Sequence, residues 1–356
     1  MKLQEQSGRA RRILVALVGS SGAAMAALLT VGAMLHLQGR DPIPVFSGML
    51  RGGFGDTFAL GETLVAATPI MLCALSVAVA RWVGLITIGA EGQLYLGAIG
   101  ATAVALSLPN LASWQLLPLM ILAASVCGGL WAGLPGVLRA KLNINETIVT
   151  LLLNYVAILF VQYLVHGPWR DPASYSWPQS AAFSVSAQLP RFGSTRVHLG
   201  LCFGLSFALL FWFALSKTRV GFIARVVGSG PAAAKYAHYP IETYLIGAMV
   251  LSGVLSALAG FGQVSAIEGR LRPVLSPGYG YTGFLVAWLA RHNPVAIVLV
   301  SFLMAGLLSG ADALQLNQRL PAATVNIFQG LIFFFLLGAE LKIRRTSRAL
   351  ERRGIV

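Results

Sequence analysis

Charge is what this sequence lacks most. Only 11% of its 356 residues are charged, and Asp plus Glu number 12 against 26 Lys plus Arg. So few ionic side chains cannot cover the surface of a water-soluble domain of this size. Lysine is rarer still, and none of Lys2, Lys141, Lys217, Lys235 and Lys342 follows a glycine. A GxxxxGK[ST] phosphate loop is therefore absent, and with it any nucleotide motor within the chain. The three cysteines, Cys73, Cys127 and Cys202, lie in apolar stretches without paired spacing, which argues against a disulfide framework or a cysteine metal site. The five histidines show no HExxH or comparable spacing, so no metal or resident cofactor is expected. No nucleophile and base can be placed on one face, so no catalytic residue is nominated.

Hydrophobicity fills the space that charge leaves. Hydrophobic residues make up 56% of the chain and the mean hydropathy is +0.75. Apolar runs at 13–37, 58–80, 91–108, 116–138, 146–166, 198–216, 244–265, 281–290, 295–316 and 321–341 predict about ten helical passages. Helices satisfy their own backbone groups where lipid offers no partner, so the expected fold is all-α: a polytopic integral membrane bundle with some short or broken helices. A single transmembrane domain over 1–356 is the simplest division, because no loop is long enough to bury a core of its own. If the first passage runs outward and the rest alternate, eight basic residues fall outside: Arg40, Arg51, Arg170, Arg191, Arg196, Arg270, Arg272 and Arg319. The other eighteen fall inside, the bias of the positive-inside rule, with both termini cytoplasmic. On this topology 167–197 is an extracytoplasmic loop, 217–243 a cytoplasmic loop and 342–356 a basic cytoplasmic tail. The net charge of +14 then reads as an orientation signal rather than a nucleic-acid surface.

Rare carboxylates inside apolar runs are functional candidates. In "GLITIGAEGQLYLGAIGA", residues 84–101, Glu91 lies among Gly84, Gly89, Gly92, Gly97 and Gly100, which permit close backbone approach and local unwinding. Two roles stay open for it: lining a substrate pathway, or capping a helix whose dipole it complements. In "NINETIVTLLLNY", residues 143–155, Glu146, Thr150 and Asn154 recur every four residues and form one stripe along a helix, lining a pathway or bracing a neighbour. "IGAEGQ" at 88–93 and "SAIEGR" at 265–270 each place a Glu–Gly pair at the edge of a glycine-interrupted run, an echo that adds Glu268 to the candidates. In 216–244, Gly228, Gly230 and Pro231 are expected to break the chain before a short helix, "PAAAKYA", whose small side chains suit docking into a partner's groove.

These blocks together resemble the membrane permease of ATP-binding-cassette (ABC) importers, in the superfamily serving ribose-type sugars, branched-chain amino acids and nucleosides. The nucleoside branch is the most similar. Its blocks look like 84–101, "INETIVTLLLNYVA" at 144–157, "TRVGFIARVVGSGPAAAKYA" at 218–237 and "LSPGYGYTGFLVAWLARHNP" at 275–294, in family order. The resemblance implies a subunit, not itself an enzyme, that moves a nucleoside or related small sugar-containing solute across the plasma (inner) membrane. It implies two separate ABC ATPases that use the ATP, an extracytoplasmic binding protein, and a second permease, more often a different chain than a second copy. In these blocks the substrate pathway would take in Thr87, Glu91, Gln93, Glu146, Thr150, Asn154 and Thr282, with Glu268 added by the Glu–Gly echo. ATPase coupling would fall to Gly221, Arg225, Gly228, Pro231, Ala233, Lys235 and Tyr236. The chain departs from the family pattern at Thr87, Thr282, Gly230 and Ala232, where Asn, Asp, Asn and Glu are common. An ion-coupled carrier using Glu91 and Glu146 is the alternative transporter, and a membrane enzyme or scaffold the alternative of another class.

Overall fold

The computed structural model describes residues 25, 26, 28–37, 39–174, 177–193 and 195–318, with single positions between 324 and 338. The 342–356 tail and most of the runs at 13–37 and 321–341 lie outside the described residues. Those described form twelve α-helices and no strand, only isolated bridges at Arg170–Ser180 and Arg191–His198. In chain order the helices are α1 (Leu28–Leu37), α2 (Pro42–Phe54), α3 (Thr57–Trp82), α4 (Ala90–Ser107), α5 (Ser113–Leu142) and α6 (Glu146–His166). They continue with α7 (Gly200–Lys217), α8 (Arg219–Ser229), α9 (Pro231–Tyr236), α10 (Ile241–Gly262), α11 (Tyr279–Leu289) and α12 (Pro294–Gln318). Six of them, α3, α5, α6, α7, α10 with its π-helical extension Gln263–Glu268, and α12, are long and apolar enough to cross a membrane.

The chain divides into two compact units, residues 1–60 with 306–356, and residues 61–305. In the first, α2 lies against the second half of α12 because glycine leaves room for backbone: a Cβ on Gly53 would overlap the Gly306 carbonyl, and one on Gly310 the Met49 carbonyl. Val31, Leu35, Val45, Met49, Ala311 and Leu314 form its apolar core. The run of hydrophobicity did not suggest α2. It is short, opens on Pro42 and carries three glycines, and only one face of it is apolar.

In the second unit α4 is the innermost element. Every residue from Ala90 to Thr102 is buried, so the helix has no polar face to show. It packs between α5 and α10 at small residues, Gly97 against the Ala257 backbone and Gly260 against that of Leu94, while Gly128 of α5 and Gly253 of α10 abut each other. Close backbone approach of this kind takes the place of the hydrophobic driving force that lipid cannot supply. By contrast α6 and α7 expose most of their apolar surface. The 167–197 loop lies over the far end of α10: the amides of Ser180, Phe183 and Leu189 donate to the carbonyls of Leu271, Gly269 and Ser265 at 3.0, 2.8 and 3.2 Å.

Two sequence expectations change. The chain does not break at Gly228, since α8 continues to Ser229 and Gly230 alone separates it from α9. Nor do all five glycines near Glu91 unwind the helix. Only 85–88 is extended, and Gly92, Gly97 and Gly100 are helical residues used for close packing.

Candidate functional site

The extended residues 85–88 join the end of α3 to the start of α4, with Leu85 and Thr87 buried and Ile86 and Ile88 half-buried. Their backbone groups need partners, since each one left unpaired would cost about 1–3 kcal/mol. The three-residue stripe on α6 supplies those of Ile86 and Ile88. The Ile86 amide donates to Glu146 Oε1 (3.0 Å), the Ile88 amide to Thr150 Oγ1 (3.3 Å) and the Gly92 amide to Asn154 Oδ1 (2.9 Å). In return Thr147 Oγ1 donates to the Ile86 carbonyl (2.9 Å) and Asn154 Nδ2 to that of Ile88 (2.8 Å). The periods match: two residues of extended chain rise about 6.6 Å, and four residues of helix about 6 Å. From Glu146 to Thr150 the polar stripe therefore reads alternate amides of an extended segment, as a neighbouring strand would, and its next member, Asn154, meets the Gly92 amide in the first turn of α4.

The start of α6 is fixed first. Asn145 caps it, its Oδ1 accepting from the Thr147 (2.9 Å) and Ile148 (3.4 Å) amides. Glu146 then divides its carboxylate, one oxygen on Ile86 and the other on Arg139 Nε at 3.3 Å. Asn154 sits two turns further along, about 12 Å from Glu146, and is wholly buried.

At that depth stands Glu91, 2% exposed and in the first turn of α4. Its carboxylate also reaches the start of a second helix, accepting from the Gly280 amide of α11 at 2.7 Å. Ser276 and the Tyr281 amide lie on the same carboxylate. The partial positive charges of two helix starts thus converge on one acidic side chain, which stabilises both. The approach requires glycine, because a Cβ on Gly280 would overlap the backbone of Glu91. Asn154 ties in the same corner, its Nδ2 lying 3.4 Å from the Tyr281 hydroxyl. Of the two roles left open for Glu91, the geometry displays a cap, and the helix capped is α11; within α4 the residue lies in the first turn without a capping hydrogen bond to its own helix.

The remaining pathway candidates fall at different distances from this corner. Thr87 is buried in the extended segment, where its Oγ1 accepts from the Gly89 amide at 3.1 Å. Thr282 is buried in the first turn of α11, its amide on the Gly278 carbonyl at 2.9 Å. Gln93 points to another contact, its Oε1 accepting from the Ser76 hydroxyl of α3 at 3.5 Å, while that hydroxyl lies 2.9 Å from the Ser252 hydroxyl of α10. Glu268 stands apart from the other seven. It ends the π-helical extension of α10 and pairs with Arg272 at 3.0 Å.

The 217–243 segment presents a different surface. Thr218 caps α8 through the Gly221 amide (3.2 Å), and Gly221 lets α8 fold back tightly on the end of α7. Val227 and Ala234 join Val83, Leu85 and Met249 in one apolar cluster. Gly228 abuts the backbone at Trp82 and Gly84, where a φ of +88° turns the chain out of α3 and into the extended segment. Beyond that contact the surface is open. Arg225, Pro231, Ala233, Lys235 and Tyr236 are exposed, Tyr236 to 89%, and Ala234 is the one buried residue of α9.

Sequence reasoning missed several members of this constellation. Thr147 shares a face with Thr150 and Asn154, so the helical spacing itself could have found it. Gly280, Tyr281 and Arg139 carried no such signal, because their partners lie far away in sequence.

The branched-chain amino acid transport system / permease component family matches residues 59–337. The chain is 38% identical to the glucose ABC transporter permease protein TsgB13 of Haloferax volcanii, over 93% of this chain and 90% of that one. It is 30% identical to the guanosine ABC transporter permease protein NupP of Bacillus subtilis, over 92% and 94%. With the nucleoside ABC transporter permease protein NupB of Lactococcus lactis it shares 29% identity over 98% and 99%. Each of these organisms also has a second permease of the same kind that matches at lower identity: TsgC13 at 25%, NupQ at 24% and NupC at 24%.

Proposed function

This chain belongs to the permease components of ABC importers, multi-pass membrane subunits that are not themselves enzymes, and from that premise we propose that it carries a nucleoside or related sugar-containing solute into the cell. Glucose, guanosine and nucleosides, the solutes in the relatives' names, share a hydroxyl-bearing sugar ring. Polar side chains that both donate and accept suit such a solute.

Being a permease component of an ABC importer implies ATPase and binding-protein partners. In this reading two ATPases use the ATP and dock on α8–α9 at the cytoplasmic face, and the binding protein delivers solute at the 167–197 side. The second permease is a different chain, since the three relatives each come with a companion that matches less well. About ten passages with both termini inside, and one transmembrane domain, complete the arrangement. Thr87, Glu91, Gln93, Glu146, Thr150, Asn154, Glu268 and Thr282 remain the proposed pathway set, with Glu91 and the α6 stripe shaping the pathway and Glu268 at its outer end.

One observation carries the mechanism. The exposed α9 adjoins α8, whose Gly228 touches the Gly84 turn. That turn begins the extended segment held by Glu146, Thr150 and Asn154 and ending beside Glu91. Movement of α9 by a docked ATPase has a continuous protein route to the corner where two helices start. An ion-coupled carrier has no such need of an exposed docking helix.

The test is uptake into proteoliposomes by the chain with its companion permease, its ATPases and a binding protein. Uptake should require ATP and stop with vanadate. Uphill transport by the purified chain alone on an ion gradient would sink the proposal.

A further inference from the structure

Two cavities flank α8. On one side a groove of about 390 Å³ runs between α3, α7 and α10, lined by Trp82, Phe211, Leu215, Val220, Gly247 and Leu251 with no charged residue. A Cβ on Gly247 would meet nothing within 4 Å, so this wall is open. On the other side a pocket of about 550 Å³ gathers Lys217, Arg219 and Arg225 around Phe222 and Tyr239. None of these three cations is in an ion pair among the described residues. Arg219 lines the pocket and its neighbour Val220 the groove, so the basic and apolar sites meet within one residue of chain.

We propose that these two cavities bind one anionic phospholipid of the cytoplasmic leaflet, its phosphate among Lys217, Arg219 and Arg225 and an acyl chain in the groove between α7 and α10. Three observations select a lipid over a protein partner. The groove adjoins α7, most of whose apolar surface is exposed and so faces hydrocarbon. Val220 and Phe222 are 63% and 54% exposed beside the cations, a combination suited to the boundary between headgroups and acyl chains. Basic pockets between spanning helices on the cytoplasmic side are matched to anionic headgroups, and a zwitterionic lipid offers no net charge to them. A lipid seated there would brace α8 against α7 and α10 close to Gly228, where the docking segment meets the Gly84 turn. The inference rests on the orientation given under the proposed function, but its test reads binding without transport, so either can fail alone.

The assembled importer would be placed in nanodiscs of mixed phosphatidylglycerol and phosphatidylcholine, then analysed by native mass spectrometry for lipid kept by the permease. Phosphatidylglycerol should be retained in preference. The double variant Lys217→Gln/Arg219→Gln should lower that retention about tenfold. Gly247→Leu, which places its side chain in the open groove, should lower it similarly with the complex intact. Equal retention of the two lipids, or retention unchanged in both variants, overturns the proposal. So does loss of the ATPases from the charge variant with its lipid still bound, because the pocket would then be a protein interface.

Discussion

Glu91–Gly92 and Glu268–Gly269 look alike in sequence and are opposites in structure. Glu91 opens a helix, is 2% exposed, and accepts from the first turn of another helix. Glu268 closes one, and Gly269 follows it at φ +64° in the left-handed conformation that ends helices. A carboxylate is favoured at a helix start and disfavoured at a helix end, where carbonyls point outward. Glu268 therefore needs the Arg272 guanidinium, which it meets at 3.0 Å in a partly exposed pair. The same dipeptide serves as a fixed internal cap in one place and a surface ion pair in the other. What decides between them is the direction of the helix to which it is attached.

The comparison breaks most severely at Gly280. Gly280→Val would drive side-chain atoms into the Glu91 backbone, with no flexible neighbour to yield. The cost should exceed about 4 kcal/mol, in the range reserved for severe core overlap. Loss of the monodisperse peak on detergent size-exclusion chromatography would register it. A well-folded Gly280→Val protein would mean that α4 and α11 do not meet at this point.

Glu91→Gln is the sharper test because it keeps shape. The amide oxygen of glutamine still accepts from the Gly280 amide, but the charge facing two helix starts is gone. A charge in a favourable geometry at a helix start is worth up to about 2 kcal/mol, so uptake by the assembled importer should fall by about tenfold while membrane levels hold. Unaltered uptake at normal expression would remove the Glu91 charge from the mechanism.

How much of this was legible in the sequence follows from the range of the interactions. Hydrophobic runs located the six long spans to within a few residues, because each helix must be apolar along its own length. The i, i+4 stripe of Glu146, Thr150 and Asn154 was legible for the same reason, being a property of one helix. Its partner was not. The 85–88 segment falls between two apolar runs beside glycines that permit unwinding, and only the fold shows α6 pairing with it across some sixty residues of chain. Gly228 was misjudged on the same ground: glycine marks either a break or a close contact, and the chain segment that approaches it, near Gly84, is remote in sequence. The Glu268 echo was legible only as a dipeptide, which does not record whether its helix begins or ends there.

Glu268→Gln closes the comparison with the smallest expected effect. Arg272 is half exposed and Glu268 about one-fifth exposed, so water screens the pair and its contribution should stay between 0 and about 1 kcal/mol. The carbonyls at the end of the π turn also repel the carboxylate, and neutralising it relieves that repulsion. The two effects oppose each other, which leaves thermal stability within a few degrees of the parent and uptake lowered no more than about twofold. Measured beside Glu91→Gln in the same proteoliposomes, the ratio of the two losses is the informative quantity. Equal losses would mean that helix direction does not separate the two carboxylates, and that the echo in sequence reflects a shared role in the pathway.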